Sequence, residues 1–366
     1  MKSWTRLFLL VAFVVSNAFA DDLKWSAESL PDYEQLFHHT NGWIGADGDF
    51  TVALPNGTTL WLFSDTFVGE IRDGRRHSQK MIHNSAAWQF GKNPATARVR
   101  FFYPQTTNGQ PESLITPADG KGWFWIFDAT MADGKLFLFL PQFERAPADN
   151  DVFGFRQIGL WLGEISNPLD PPPQWKITQT KVPFVQIGAN ESRNFGSAAL
   201  ATNGFIYIFG THDVHGRDRK MLLARAPENS LADFSSWRFR TSTDWSTNVL
   251  EAADLCGQMG SEYSVSWQPK LRRYVLICTE NGLSPKIIMR TSPNPWGPWS
   301  AGKIIYECPD VTWDKSIFCY AAKAHPMLAQ SPDEVILTYA ANSFSLSKLM
   351  SDTRLYWPRF VRLKFQ

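Results

Sequence analysis

Three carboxylates stand close together in the segment from Asn41 to Gly69, NGWIGADGDFTVALPNGTTLWLFSDTFVG: Asp47, Asp49 and Asp65. Two apolar runs, FTVAL and TLWLF, flank Pro55-Asn56-Gly57 and read as a hairpin. Asp47 and Asp49 precede the first run and Asp65 follows the second, so pairing the runs delivers all three acids to one end. Folding alone gives no reason to gather like charges, which repel and desolvate poorly. Cleavage of a glycosidic bond does give one. One carboxyl protonates the leaving oxygen while another attacks the anomeric carbon or activates water. Their repulsion raises one pKa and leaves the other group ionised, which divides the labour.

The elements that must position these acids recur along the chain. Gly122–Gln142 (GWFWIFDATMADGKLFLFLPQ), Asn194–His212 (NFGSAALATNGFIYIFGTH), Glu262–Glu280 (EYSVSWQPKLRRYVLICTE) and Lys323–Ala341 (KAHPMLAQSPDEVILTYAA) each repeat a strand, a polar turn and a β-branched or aromatic strand. Third strands follow at Ile158–Ile165, Lys220–Pro227, Lys286–Pro293 and Arg359–Phe365. Five such units cannot each bury an apolar face alone, and radial closure buries them all. The chain therefore reads as an all-β, five-bladed β-propeller, one domain over residues 21–366, closed by its N-terminal strand or by RFVRLKF. A β-sandwich is the alternative and does not explain the recurrence of whole units. Ala27–Phe37 (AESLPDYEQLF) has room for one or two helical turns.

In a propeller the inner strands line the axis, and their leading ends share one rim. That rim then collects Asp47, Asp49 and Asp65 from blade one, and Glu112, Asp119 and Asp128 from blade two. Blade three adds Asn194, His212 and Asp213, blade four Glu262 and Glu280, and blade five His325. Asp47 and Asp65 are the expected catalytic pair. Asp49, Asn84, Glu191, His212, Asp213, Glu262, His325 and Trp43 are the expected substrate-binding residues, with Trp43, Trp61 and Trp267 as stacking surfaces for sugar. Arg193, Arg217 and Arg219 keep open a phosphate pocket and phosphorolysis.

Composition narrows the partners. The net charge of +1 favours neither nucleic acid nor an acidic membrane. The 16 Trp and 27 Phe suit sheet-packed cores, with some left for carbohydrate. Met1–Ala20 (MKSWTRLFLLVAFVVSNAFA) reads as a secretory signal peptide, with a basic start, an apolar stretch too short to span and an Ala-Phe-Ala end. A protein exported to the periplasm or the extracellular medium is expected, without membrane anchor and monomeric. In that setting Cys256, Cys278, Cys308 and Cys319 suggest two disulfides, Cys308–Cys319 being the most local pairing; a zinc site lacks CxxC spacing and a nearby His. No metal-binding motif appears, so no cofactor is expected to be required. An axial structural cation near His325 is one option.

Blade one, followed by HNSAAW, DGKGWFWIFDATMADGKLFLFL and GSEYSVSW, resembles exported propeller proteins long grouped as an uncharacterised domain family that includes the endo-D-arabinanases. That resemblance implies a five-bladed glycoside hydrolase, retaining, with Asp47 and Asp65 sharing the roles of nucleophile and acid/base. It further implies endo-acting cleavage of a furanose-containing polysaccharide such as D-arabinan. The rival class is a non-catalytic carbohydrate-binding propeller, which has no use for two close carboxylates. The arginine-aspartate-proline triplet of the related fructosidases is missing here.

Overall fold

The computed structural model describes residues 23–147 and 153–366, so the expected leader lies outside the described residues. Five antiparallel meanders surround one axis, in chain order. Blade one is built from Phe50–Ala53, Thr59–Phe63, Ser85–Phe90 and Arg98–Phe102. Blade two is Ala129–Ala132, Lys135–Arg145, Phe155–Ile165 and Ile177–Lys181. Blade three is Glu191–Thr202, Phe205–Val214, Lys220–Pro227 and Arg238–Arg240. Blade four is Tyr263–Gln268, Arg273–Thr279, Lys286–Ser292 and Lys303–Glu307. Blade five comprises Ile317–Ala324, Glu334–Ser343 and Pro358–Phe365, and its outer strand is Trp25–Ser29 from the other end of the chain. This last pairing, from Trp25 opposite Phe365 to Ser29 opposite Val361, closes the ring as expected. The inner strands of all five blades line an axial channel of about 270 Å³.

Local sequence explains the meanders. Asp133-Gly134 and Asn203-Gly204 both lie at positive φ, the type I′ geometry whose twist matches the flanking strands. The strands they join bury apolar and aromatic side chains between neighbouring blades. Phe37, Trp43, Trp61, Phe63 and Phe360 pack together where blades five and one meet. No helix among the described residues is long and apolar enough to cross a membrane. The helical turn expected near the start is Pro31–Glu34.

Two features depart from expectation. The blade-one hairpin does not end at its acids: Asn41–Ala46 and Thr66–Arg72 pair beyond them and, with Arg75–Ile82, form a separate three-stranded sheet. The disulfides are also absent. All four cysteines are free thiols. Cys308 and Cys319, the expected pair, are both buried in the same core cluster as free thiols.

The closing strand carries a keystone. Phe360 is fully buried, stacked on Tyr33 at 5.3 Å and against Phe37 and Trp61 at 5.4 and 5.7 Å. Phe360→Ala is expected to lower stability by about 3–5 kcal/mol through the lost contacts and the cavity left behind. Equilibrium urea unfolding measures it, and a loss below 1 kcal/mol would refute this role.

Candidate active site

Asp47 and Asp65 sit where the small sheet meets blade one. The Asp47 amide donates to the Asp65 carbonyl at 3.2 Å and the Ser64 amide to the Asp47 carbonyl at 2.9 Å, so backbone pairing runs through both residues. Between the two sheets the chain bends sharply at Gly48 and Asp49, both in the left-handed region, with φ of +90° and +55°. A Cβ at Gly48 would stand 2.8 Å from the Ser64 amide nitrogen, so only glycine fits this close approach. The GADGD sequence thereby breaks the strand just after Asp47, at the Gly48-Asp49 bend.

The two aspartates have different surroundings. Oδ2 of Asp47 accepts hydrogen bonds from the hydroxyls of Tyr320 at 2.6 Å and Tyr356 at 3.0 Å; its buried Oδ1 has no hydrogen-bond partner. Burial, with the neighbouring charges of Asp65 and Glu262, pushes the Asp47 carboxyl well above the usual range, against the pull of the two hydroxyls. Burial and the Asp47 charge raise both phenols, so they remain donors. Oδ1 of Asp65 accepts from His83 Nδ1 at 2.8 Å and from Trp125 Nε1 at 2.9 Å. The His83 ring in turn stacks on Trp123, 4.5 Å between centroids.

The tyrosines come from blade five. An extra residue in its inner strand shifts the register between Tyr320 and Lys323, a β-bulge that re-aims the side chains around it. Tyr356 lies on the connection to the closing strand with φ +64°, an uncommon conformation for an aromatic residue. Its carbonyl accepts from Ala46, and its amide donates to Ala341. Buried Arg76, from the small sheet, fastens this connection by donating to the carbonyls of Ile44, Leu349 and Leu355.

Glu262 enters from the head of the blade-four inner strand and is largely buried. Burial raises its carboxyl, and the nearby Lys323 lowers it in part. Asp49, also buried, has an unpartnered Oδ1; burial raises it from 3.8 to about 7 despite Lys323. Asp128 of blade two is likewise raised to about 7 by burial, although it accepts the amides of Ala129 and Ala199. Asp47, Asp49, Asp65 and Glu262 thus converge electrostatically at one end of the axis. Among the described residues, no group of three or more His, Cys, Asp or Glu side chains is arranged to hold a metal ion.

The other expected site residues lie elsewhere. Asn84 is fully buried and spends its amide on the backbone of Ile115 and Phe124, stapling the crossing to blade two. Its neighbour His83 is the one that reaches an acid. Trp43 is buried, stacked on Phe101 at 4.3 Å, so it offers sugar no face. Trp61 is equally buried, whereas Trp267 is exposed against Tyr274 on the inner strand of blade four. His325 is fully buried between blades five and one; Thr51 holds its Nδ1 at 2.7 Å and Thr338 its Nε2 at 2.8 Å, leaving neither nitrogen for substrate or an ion. Glu191, His212 and Asp213 form a second charged group on blade three. His212 bridges Glu191 and Asp254, and Asp213 pairs with Arg219.

Tyr320, Tyr356, His83, Trp125 and Lys323 escaped the sequence reading. One signal was available: a lysine in CYAAKAH, inside an otherwise apolar inner strand, is out of place unless charge awaits it. Nothing local marks Tyr356.

One family model, described as a domain of unknown function (DUF5005), matches residues 31–365. No curated protein matches the chain. A solved structure from Bacteroides ovatus ATCC 8483, described as a candidate hydrolase, superposes with a TM-score of 0.74 at 19% identity, covering 93% of this chain and 90% of that one. The catalytic domain of the Coprinopsis cinerea GH62 alpha-L-arabinofuranosidase gives 0.51 at 10% identity, over 93% and 97%. The RS223 beta-xylosidase gives 0.50 at 11% identity, over 92% and 94%. The fold is that of the five-bladed propeller glycosidases. The expectation of a retaining mechanism is corrected here, because the glycosidases sharing this fold, the GH62 enzyme among them, belong to inverting clans. The comparisons carry the coarser reading, a propeller of glycosidase fold, and not the endo-D-arabinanase identity; the family description names no substrate.

Asp49 gives a pH signature. Its folded pKa lies above its unfolded value, so the native state holds the extra proton between about pH 4 and pH 7 and loses stability across that window as pH rises. Asp49→Asn removes this loss. The variant should match the parent near pH 4 and exceed it at pH 8 by about 2–4 kcal/mol. Asp128, present in both proteins, cancels from the comparison. Equal denaturation midpoints at pH 8 would refute the assignment.

Proposed function

The chain belongs to that family of unknown function, and on that premise we propose that it is a glycoside hydrolase acting by inversion on a neutral carbohydrate. The observation that carries this reading is the state of Asp47. One of its oxygens is held by two tyrosine hydroxyls, and the other, buried, has no protein partner beside the carboxyls of Asp65 and Glu262.

Inversion needs a base for water on one face of the sugar and an acid for the leaving oxygen on the other. Asp47 suits the base. Two O–H donors favour its ionised form, and protonation of Glu262 removes one of the two repulsions that raise it. Glu262, from a different blade and raised by burial, suits the acid. Water loses a proton to Oδ1 of Asp47 as its oxygen bonds to the anomeric carbon. The glycosidic C–O bond breaks, and the leaving oxygen takes the Glu262 proton. Asp65, anchored by His83 and Trp125, supplies a second negative charge beside Asp47 and keeps the site hostile to anionic sugars.

An aromatic arc supports a carbohydrate occupant. Trp125 packs on Phe155 at 4.6 Å, Phe155 meets Phe153 at 6.1 Å, and Phe153 reaches Phe318 and the exposed Phe344 of blade five at 5.9 and 6.0 Å. Its two ends touch the acids, Trp125 through Asp65 and Phe318 through Tyr320, which holds Asp47. Such faces suit the apolar side of a sugar ring.

A panel of neutral aryl glycosides and oligosaccharides, with the first-formed anomer read by proton NMR, tests the proposal. The inverted anomer is expected. Asp47→Asn should lower kcat by about 10²–10⁴-fold on every substrate. Glu262→Gln should do so for alkyl and sugar leaving groups and spare dinitrophenyl glycosides, whose leaving group needs no proton. Retained configuration, full activity of Asp47→Asn on any substrate, or full activity of Glu262→Gln on alkyl and sugar leaving groups would overturn the mechanism; binding without turnover across the panel would overturn the enzyme reading.

A further inference from the structure

Lys323 is a buried charge that the proposed reaction does not use. It is 1% exposed and lines the axial channel. Its Nζ donates to the Gly48 carbonyl of the blade-one bend and to the Ala321 carbonyl at 2.7 Å, and stands 4.3 Å from the centroid of Phe50. Oε1 of Glu262 lies 4.0 Å away. The groups that feel its charge are Asp49 of blade one, Asp128 of blade two, Glu262 of blade four and His325 of its own blade. A group that touches or polarises residues of four blades sits at the axis. The β-bulge after Tyr320 puts it there, with Ala321 at φ +58°.

We propose that Lys323 is a built-in axial cation and a positioning residue for Glu262: its ammonium ties the blade-one bend to blades four and five and fixes where, and in which charge state, the Glu262 carboxyl meets the leaving oxygen. The proposal rests on the reading of Glu262 as proton donor. An ammonium on a flexible stem does here what a bound ion would do, and it cannot dissociate. Its two carbonyl acceptors and the ring face below leave one N–H direction for the acids around it. Because the same charge faces Asp49 and Asp128, it offsets the repulsion that gathering three acids on the axis creates. Without it, burial acts on Glu262 unopposed, and the carboxyl holds its proton to higher pH.

Lys323→Met keeps the stem and removes the charge. The Glu262 carboxyl carbon, followed by ¹³C NMR and assigned through Glu262→Gln, reports its titration without any substrate. Its midpoint is expected to rise by about one pH unit or more in Lys323→Met, with the basic limb of kcat/KM moving up in parallel and KM changing less than kcat. An unchanged Glu262 midpoint in a folded variant would overturn the proposal. Should Lys323→Met fail to fold, the parent protein still decides: ¹⁵N NMR of the buried lysine should show a protected ammonium, and a neutral amine there, or a stoichiometric metal ion found by elemental analysis and displacing it, overturns the assignment. Failure of the parent to hydrolyse any glycoside would defeat the glycosidase reading alone, since both NMR measurements read Lys323 and Glu262 directly.

Discussion

Four carboxyls crowd one end of the propeller axis, where little water reaches them, and the surrounding structure is arranged to answer their charge. Asp47 is met by two tyrosine hydroxyls, Asp65 by a histidine and a tryptophan, and Glu262 and Asp49 by one buried ammonium. The answers around Asp47, Asp49 and Glu262 are incomplete. Asp47 and Asp49 keep an unpartnered oxygen, and burial holds these three carboxyls above their ordinary range. A site satisfied in full would be a structural network; one left short of a donor is ready for a substrate or a water molecule.

That shortfall has to be held open by rigid parts. The partners of Asp47 come from positions 273 and 309 residues further along the chain, so they reach it only once the ring has closed. Closure depends on the pairing of Trp25–Ser29 with the C-terminal strand and on the aromatic packing of Phe37, Trp61 and Phe360. Arg76 carries that closure to the site by fastening the connection that presents Tyr356, its guanidinium lying over the Trp357 ring. Stability and chemistry therefore meet at the seam between blades five and one.

Much of the architecture was legible in the residues themselves. Alternating apolar runs, Asp-Gly and Asn-Gly turns and five returns of the same unit are local signals, and a hairpin obeys them wherever it ends up. The meeting of Asp47, Asp49 and Asp65 follows from the same logic, because one hairpin fixes it. Glu262 was legible for a related reason: it heads an inner strand, and inner strands converge. The small sheet was not, since the bend at Gly48 looks like the start of a strand until Ser64 is seen packed against it.

Residue order therefore sets the fold class and the acids that a single hairpin or strand end can deliver. Tertiary structure alone decided which neighbours act on them. His83 rather than Asn84 reaches Asp65, because one residue of register turns a side chain from the core to the site. His325 is spent between two threonines while Lys323, two residues earlier, reaches the axis past a bulge that its own sequence does not announce. Trp43 is core and Trp125 is site, although each stands before an isoleucine in the chain. Local pattern sets backbone geometry through short-range sterics and hydrogen bonding. The pairing of buried charges with distant donors depends on which blades the closed ring makes adjacent.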